Sequence, residues 1–169
     1  MSKGRSSAVQ KESVSEDQPE PRYAAPDIAF GELENTIGFN LRLAQQASFQ
    51  AFARRVGSSD LRPGFYATLA LIHENPGISQ TALSQANGRD KSTLTPVLDD
   101  LERRGLVVRE RLATNRRSYS LTLTTEGVKA WKTLRTHARA HDKALDELIE
   151  PSHKEEFLRS LRKIIAYLA

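Results

Sequence analysis

The stretch from Ile78 to Thr125 constrains this chain more than any other. It reads ISQTALSQANGRDKSTLTPVLDDLERRGLVVRERLATNRRSYSLTLTT. Ser79 suits a helix N-cap, with Ala82, Leu83 and Ala86 on one face behind it. Asn87 and Gly88 tolerate positive φ and end that helix. Asp90 then caps a second helix, its carboxylate placed to accept from the backbone N–H of Ser92 or Thr93. Leu94, Val97, Leu98 and Leu101 follow at helical spacing and should face the core. That leaves Lys91, Ser92, Thr93 and Thr95 exposed on the first turns. Pro96 lies past the first turn, where it removes a helical hydrogen bond. The apolar pattern runs through it, so a local kink is expected and not a helix end.

Gly105 stops the second helix, with Arg103 and Arg104 in its last turn complementing the dipole. Leu106-Val107-Val108 and then Tyr119, Leu121 and Leu123 are apolar runs of strand length, and Thr114-Asn115-Arg116-Arg117 reads as the loop between them. Six arginines (103, 104, 109, 111, 116 and 117) face one acid, Glu110, a net +5 over a short span. Such a field suits a polyanion. The order helix, turn, helix, strand, basic hairpin, strand is that of a winged helix-turn-helix. In that arrangement the N-terminal end of the second helix enters the major groove. Short hydroxyl side chains there allow close approach to base edges or phosphates. Arginine fits a narrow minor groove and pairs with phosphate in a fork.

These motifs resemble the MarR family (multiple-antibiotic-resistance type). The likeness is carried by PGISQTALS before the turn, DKSTLTPVLDDLERRGLVVRE through the second helix and first strand, and NRRSYSLTLTTEG into the next helix. It is specific from Gly77 to Gly127 and runs more loosely from about Glu32 to Leu168. The family wing carries an acid before its two arginines; Asn115 stands there and can still accept one hydrogen bond. The resemblance implies a mostly α fold with a small β-hairpin wing, made of a reading head and N- and C-terminal dimerisation helices. It implies a homodimer that binds a palindromic operator in double-stranded DNA, usually as a repressor. The DNA-contacting residues expected are Ser79, Gln80, Lys91, Ser92, Thr93, Thr95, Arg111, Arg116 and Arg117. The family's effector pocket lies between the dimer helices and the reading head. Phe39, Arg42, Gln46, Tyr66 and His73 are the candidates for lining it. Aromatic rings plus a cation suit an aromatic carboxylate or its CoA thioester, and IGFNLRLAQQASFQAFARRV is similar to family branches tied to aromatic-acid catabolism.

At 169 residues the chain is one domain's worth. Residues 1–26 are rich in Ser, Glu, Gln and Pro and read as a disordered tail whose charges nearly cancel. Residues 27–169 form the single domain, with the winged-helix part at 58–125 and dimerisation helices at 27–57 and 126–169. The net charge of +4 is weak evidence on its own; its concentration near the hairpin is what matters. With no cysteine, disulfides, thiolate metal sites and cysteine-based sensing are excluded. No apolar run approaches the ~20 residues of a membrane span. The N-terminus lacks a signal core, so the expected location is the cytoplasm.

Glu32 to Val56 reads as one long helix, with Leu33, Ile37, Leu41, Ala44, Ser48, Phe52 and Val56 as its stripe. Leu61-Arg62-Pro63 leads into a second helix, with Pro63 near its first turn. His73 sits near that helix's C-terminus, where the dipole favours a histidine. After the wing, Thr124 or Thr125 caps a long helix running to Leu148, and Pro151 breaks it. Ser152 and Glu155 form a capping box for a final amphipathic helix. His137 and His141 are spaced i, i+4 without a clear third ligand, so no metal is expected. No catalytic or cofactor fingerprint is present, and neither enzyme activity nor a cofactor is expected. Two other readings use the same fold: a winged-helix protein-interaction module, and a nonspecific architectural DNA binder.

Overall fold

The computed structural model describes residues 28–57, 61–112 and 115–168, the side chains of 112 and 115–118 excepted. The tail over residues 1–26 and Thr114 of the expected wing loop lie outside the described residues. The chain divides into an N-terminal unit, Met1–Asn40, and a larger unit, Leu41–Ala169.

The single helix expected from Glu32 is interrupted. Gly31–Asn35 forms a 3-10 turn, Thr36 is extended (ψ 130°), and α1 spans Ile37–Val56. Side chains explain the break. The Thr36 hydroxyl donates to the Leu33 carbonyl (2.9 Å), and Asn40 Nδ2 donates to the carbonyls of Glu34 and Thr36 (2.8 Å each). These bonds satisfy acceptors that a continuous helix would give to its own backbone.

The larger unit follows the expected order with one addition. Helix α2 covers Phe65–Glu74, two residues past Pro63, and strand β1 covers only Ile78–Ser79. Helices α3 (Gln80–Ala86) and α4 (Lys91–Arg103) follow, then β2 (Val107–Leu112), β3 (Asn115–Leu123), α5 (Thr125–Asp146) and α6 (Lys154–Leu168). The sheet has three antiparallel strands in the order β1-β3-β2, with Ile78 opposite Leu121 and Val107 opposite Leu123. Two residues of β1 are too few to show an alternating pattern, which hid them in the sequence.

The caps behave as their chemistry requires. Ser79 Oγ accepts from Ala82 N, Asp90 accepts from Thr93 N, and Thr124 Oγ1 accepts from Gly127 N. Helix α4 continues through Pro96 to Arg103. Gly105 follows it at φ 67°, the left-handed conformation that lets the chain turn back into β2. Helix α5 ends at Asp146, short of Leu148. His153 precedes α6, its carbonyl accepting from Phe157 N (2.9 Å), so the first turn starts one residue later than a cap at Ser152 would place it.

The core sits where α2, α4, α5 and the sheet meet. Leu69, Leu83, Leu94, Leu98, Leu101, Leu121 and Leu134 have no exposed surface. The start of α5 is locked onto the turn after α4: Thr124 N donates to Leu106 O (3.1 Å), and the Thr124 hydroxyl donates to Gly105 O (2.7 Å). Gly127 leaves no room there, since a Cβ would stand 1.9 Å from Leu106 O. Gly127→Ala should therefore destabilise the protein by at least ~1–3 kcal/mol, the usual cost of overpacking. Chemical unfolding checks this; an unchanged midpoint would show that the turn can yield.

Candidate nucleic-acid interface

The candidate reading surface is built from the N-terminal turns of α4. Lys91, Ser92 and Thr93 are exposed, and Thr95 is half-buried. Asp90 organises the hydroxyls: Ser92 Oγ donates to Oδ1, Thr93 Oγ1 to Oδ2 (2.9 Å), and the Thr93 backbone N–H to Oδ1 (2.8 Å). Thr95 Oγ1 donates to Lys91 O (2.7 Å) and accepts from Gln80 Nε2 (2.9 Å). Gln80 thereby ties the first turn of α3 to α4, and Ser79 is committed to capping α3. The three hydroxyl protons on α4 are used internally, so the lone pairs are what this turn presents outward.

The sheet carries the second part. Cross-strand partners share a face, so Val107, Arg109 and Arg111 lie on the side of Leu123, Leu121 and Tyr119. Arg111 is exposed, its guanidinium 5.9 Å from the Tyr119 ring centre. Asn115, Arg116 and Arg117 belong to β3, not to a loop as expected; Leu112 pairs with Asn115 across a register irregularity. The hairpin is longer and its turn shorter than the pattern of large apolar residues suggested, because polar residues also extend strands near a tip.

The basic run is far less basic than a count along the chain. Arg109 is nearly buried and pairs with Asp99 and with Glu102 (2.9 Å) of α4. Arg103 and Arg104 (3.1 Å) pair with Asp100, and Arg62 joins them at 3.4 Å. From Asp99 to Arg117 six arginines meet four carboxylates, a net +2 in place of the +5 read from Arg103 onward. Asp99, Asp100 and Glu102 lie in the last turn of α4, just before Arg103. Asp100 is 8% exposed. Burial alone would push its carboxyl up, but the Arg104 hydrogen bond and the charges of Arg104, Arg62 and Arg103 outweigh it and hold it below the usual range.

A cleft of about 450 Å³ opens between α1, α2 and α5. Its walls include Ser48, Phe49, Phe52, Tyr66, Arg139 and His141. His141 Nε2 lies 3.0 Å from Ser48 Oγ, and its ring centre is 5.6 Å from that of Phe52. Of the five residues expected around an effector, Tyr66 lines this cleft. Arg42 is exposed one helical turn before Gln45, another wall residue, and Gln46 is exposed beside it. His73 stacks on Trp131, ring centres 3.7 Å apart, which is a packing role. Phe39 belongs to the N-terminal unit, where its ring centre is 5.7 Å from that of Phe30. Arg139 and His141 were missed as cleft residues because α5 lies far along the chain from α1 and α2, and Ser48 because its hydroxyl is paired with His141 of that helix. Among the described residues no cluster of three or more His, Cys, Asp or Glu is placed to hold a metal ion, and no helix is long and apolar enough to cross a membrane.

Residues 62–119 match the MarR family. A transcriptional regulatory protein of Thauera aromatica, named for the hcr operon, is 32% identical over 139 residues, spanning 82% of this chain and 84% of that protein. The structure of the transcriptional repressor CouR bound to a 23-mer DNA duplex matches with a TM-score of 0.73 at 32% identity, covering 82% of this chain and 99% of that one. CouR bound to p-coumaroyl-CoA matches with a TM-score of 0.73 at 30% identity, over 82% and 98% of the two chains.

The Asp90 hydrogen bonds have a pH signature. The Ser92 hydroxyl first, then the Thr93 N–H and hydroxyl, lower its pKa from 3.8 to about 2. The fold favours the ionised form, so this contribution is complete above pH ~4 and is lost as pH falls toward 2. Unfolding midpoints of the wild type and of Asp90→Ala should differ above pH ~4 and converge below it. A gap that stays constant down to pH ~2 would deny the carboxylate this role.

Proposed function

The chain belongs to the MarR family of transcriptional regulators, and from that premise we propose that it is a homodimeric repressor that releases a palindromic operator on binding an aromatic acid or its CoA thioester. The observation that carries this reading is the exposed turn Lys91-Ser92-Thr93, bonded to Asp90, on a helix whose far half pairs with the strand hairpin that carries Arg111, Arg116 and Arg117. Lys91, Ser92, Thr93 and Thr95 read the major groove; Arg116 or Arg117 enters the minor groove or clamps phosphate. Ser79 and Gln80 support the α3 side of that contact.

Dimerisation is supported by the last helix. Phe157, Ile165 and Leu168 are 46%, 64% and 82% exposed and fall on one face of α6. An apolar face of that kind marks an interaction surface. A second copy covering it, together with the helix at 27–57, would set two reading heads about one DNA turn, roughly 34 Å, apart.

The cleft around Tyr66 and His141 is the proposed effector site. Phe49 and Phe52 offer aromatic walls, and Arg139 offers a cation for a carboxylate. CouR, similar to this chain, is known bound to p-coumaroyl-CoA, which supports an aromatic acyl ligand. Release of DNA then follows if the effector favours a head spacing that cannot match successive grooves.

Selection of bound sequences from random duplex DNA tests the reading. A palindrome with half-sites one turn apart is the expected product; a dimeric, folded protein that enriches nothing would move the assignment to an interaction module or a nonspecific binder. Arg116→Ala should weaken operator binding by about 1–3 kcal/mol, with a shallower salt slope if the lost contact is to phosphate. Equal binding at several salt concentrations would remove the wing from the interface. Tyr66→Ala should raise the p-coumaroyl-CoA concentration needed for release by about tenfold, and an unchanged release curve would place the effector elsewhere.

A further inference from the structure

Helix α5 carries a second basic surface, beyond the hairpin. From Gly127 to His141 its sequence holds Lys129, Lys132, Arg135 and Arg139 and no acid. We infer that the outward face of this helix is a sequence-independent contact surface for the phosphate backbone of duplex DNA, separate from the turn Lys91-Ser92-Thr93.

Helical spacing gathers the charge. Lys129, Lys132, Thr136, Arg139 and Lys143 recur at intervals of three and four, so they form one row along α5. Gly127, Ala130, Trp131 and Leu134 are the buried positions of the same helix. Lys129, Lys132 and Thr136 each stand two residues from one of them, about 200° around the axis. Every residue of the row is exposed. The row is about 21 Å long, and over that length a duplex presents on the order of ten phosphate charges.

The hairpin arginines are answered by carboxylates of α4, but this row keeps its charge. Among the described residues Lys132 and Arg139 meet no carboxylate. Lys129 pairs with Glu126 at 2.7 Å and Lys143 with Glu147 at 4.0 Å, and all four side chains are at least 64% exposed. Such surface pairs are weak and yield to a polyanion. Asp146 is taken by Lys154 at 2.6 Å, and Asp142 lies about 100° around the helix from Lys143.

The chemistry between the cations selects the partner. Only Thr133, Thr136 and Ala140 are exposed among them, with no aromatic or large apolar side chain. The two threonine hydroxyls donate back to the carbonyls of Lys129 and Lys132 (3.2 Å each). A protein partner would need a buried anchor of the aromatic kind, and a lipid surface would need apolar side chains to enter it. A row of cations with neither suits phosphates, which are met by charge alone. The surface is distinct from the reading turn, because α5 starts at the turn after α4 and Lys91 lies at the other end of that helix, about 18 Å away.

The surface does not depend on the operator or effector assignments. It is tested on the full chain by NMR with a duplex of about 12 base pairs of arbitrary sequence, followed at the backbone amides of Thr133 and Thr136 on α5 and of Ser92 and Thr93 on the reading turn. The Thr133 and Thr136 amides should shift saturably, with an affinity that falls at least about tenfold between roughly 50 and 200 mM salt. Shifts at Ser92 and Thr93 alone overturn the proposal and leave the reading turn standing. Shifts on α5 alone support it and count against the reading turn. The variant Lys129→Gln/Lys132→Gln/Lys143→Gln, which leaves Arg139 and its cleft in place, should weaken the α5 response by about tenfold and keep the response at Ser92 and Thr93. Unchanged affinity in the folded variant overturns the proposal, as does absence of a saturable α5 shift in the wild type whether or not the variant folds. Poly-glutamate that shifts Thr133 and Thr136 at a lower concentration of charge than the duplex would overturn it in favour of an acidic protein.

Discussion

One nearly buried carboxylate, Asp100, ties helix α4 to the connection before α2 within the winged-helix part. It draws Arg62 from the connection before α2, and Arg103 and Arg104 from the end of its own helix, onto one point. Arg62 and Arg104 also lie over the Phe65 ring at 5.9 and 5.6 Å, so the cluster presses on the first residue of α2. Loss of the carboxylate would leave Arg62 and Arg104 facing each other over that ring, and Arg104, the least exposed of the three arginines, would lose its counter-charge. Helix α4, which carries the turn proposed for DNA, is thus tied by charge as well as by its buried leucines to the elements around it.

The same helix moderates the field of the hairpin. Asp99 and Glu102 take Arg109, and Asp100 takes two more arginines, so α4 carries its own counter-charges toward the sheet. Arg111 remains exposed on the hairpin. Uniform basicity along the run would instead attract any polyanion at long range.

Much of the local chemistry that a single residue decides was legible in the sequence, though not the cap of α6, which starts after His153 and not Ser152. Ser79, Asp90 and Thr124 announce caps, Gly105 announces a turn, and Leu94, Leu98 and Leu101 announce a buried face; each does in the structure what its type requires. Features that depend on partners far along the chain were not legible. The pairing of β1 with β3 rests on two residues, and the interruption at Thr36 rests on Asn40 reaching back to two carbonyls. The neutralisation of Arg109 follows from strand register, which turns it toward α4. His73 looked available for a ligand because nothing in the sequence shows that Trp131 stacks on it. The cleft around Tyr66 combines α1, α2 and α5, and no local pattern could group those residues.

Helix α5 joins the two halves of the proposed mechanism without a break. Its first turn is wedged against the Gly105-Leu106 turn at the root of the hairpin, and Ala138, Arg139, His141 and Asp142 farther along line the cleft. At 1.5 Å per residue, Gly127 and Asp142 are roughly 22 Å apart along one rod. The wedge has no slack, since Gly127 touches Leu106 where even a methyl group would collide. A close-packed contact of that kind transmits displacement instead of absorbing it. An effector that parts His141 from Ser48 would therefore tilt a rod whose other end carries the wing. The distance between cleft and hairpin is then no obstacle to coupling, provided the effector prefers one tilt over the other.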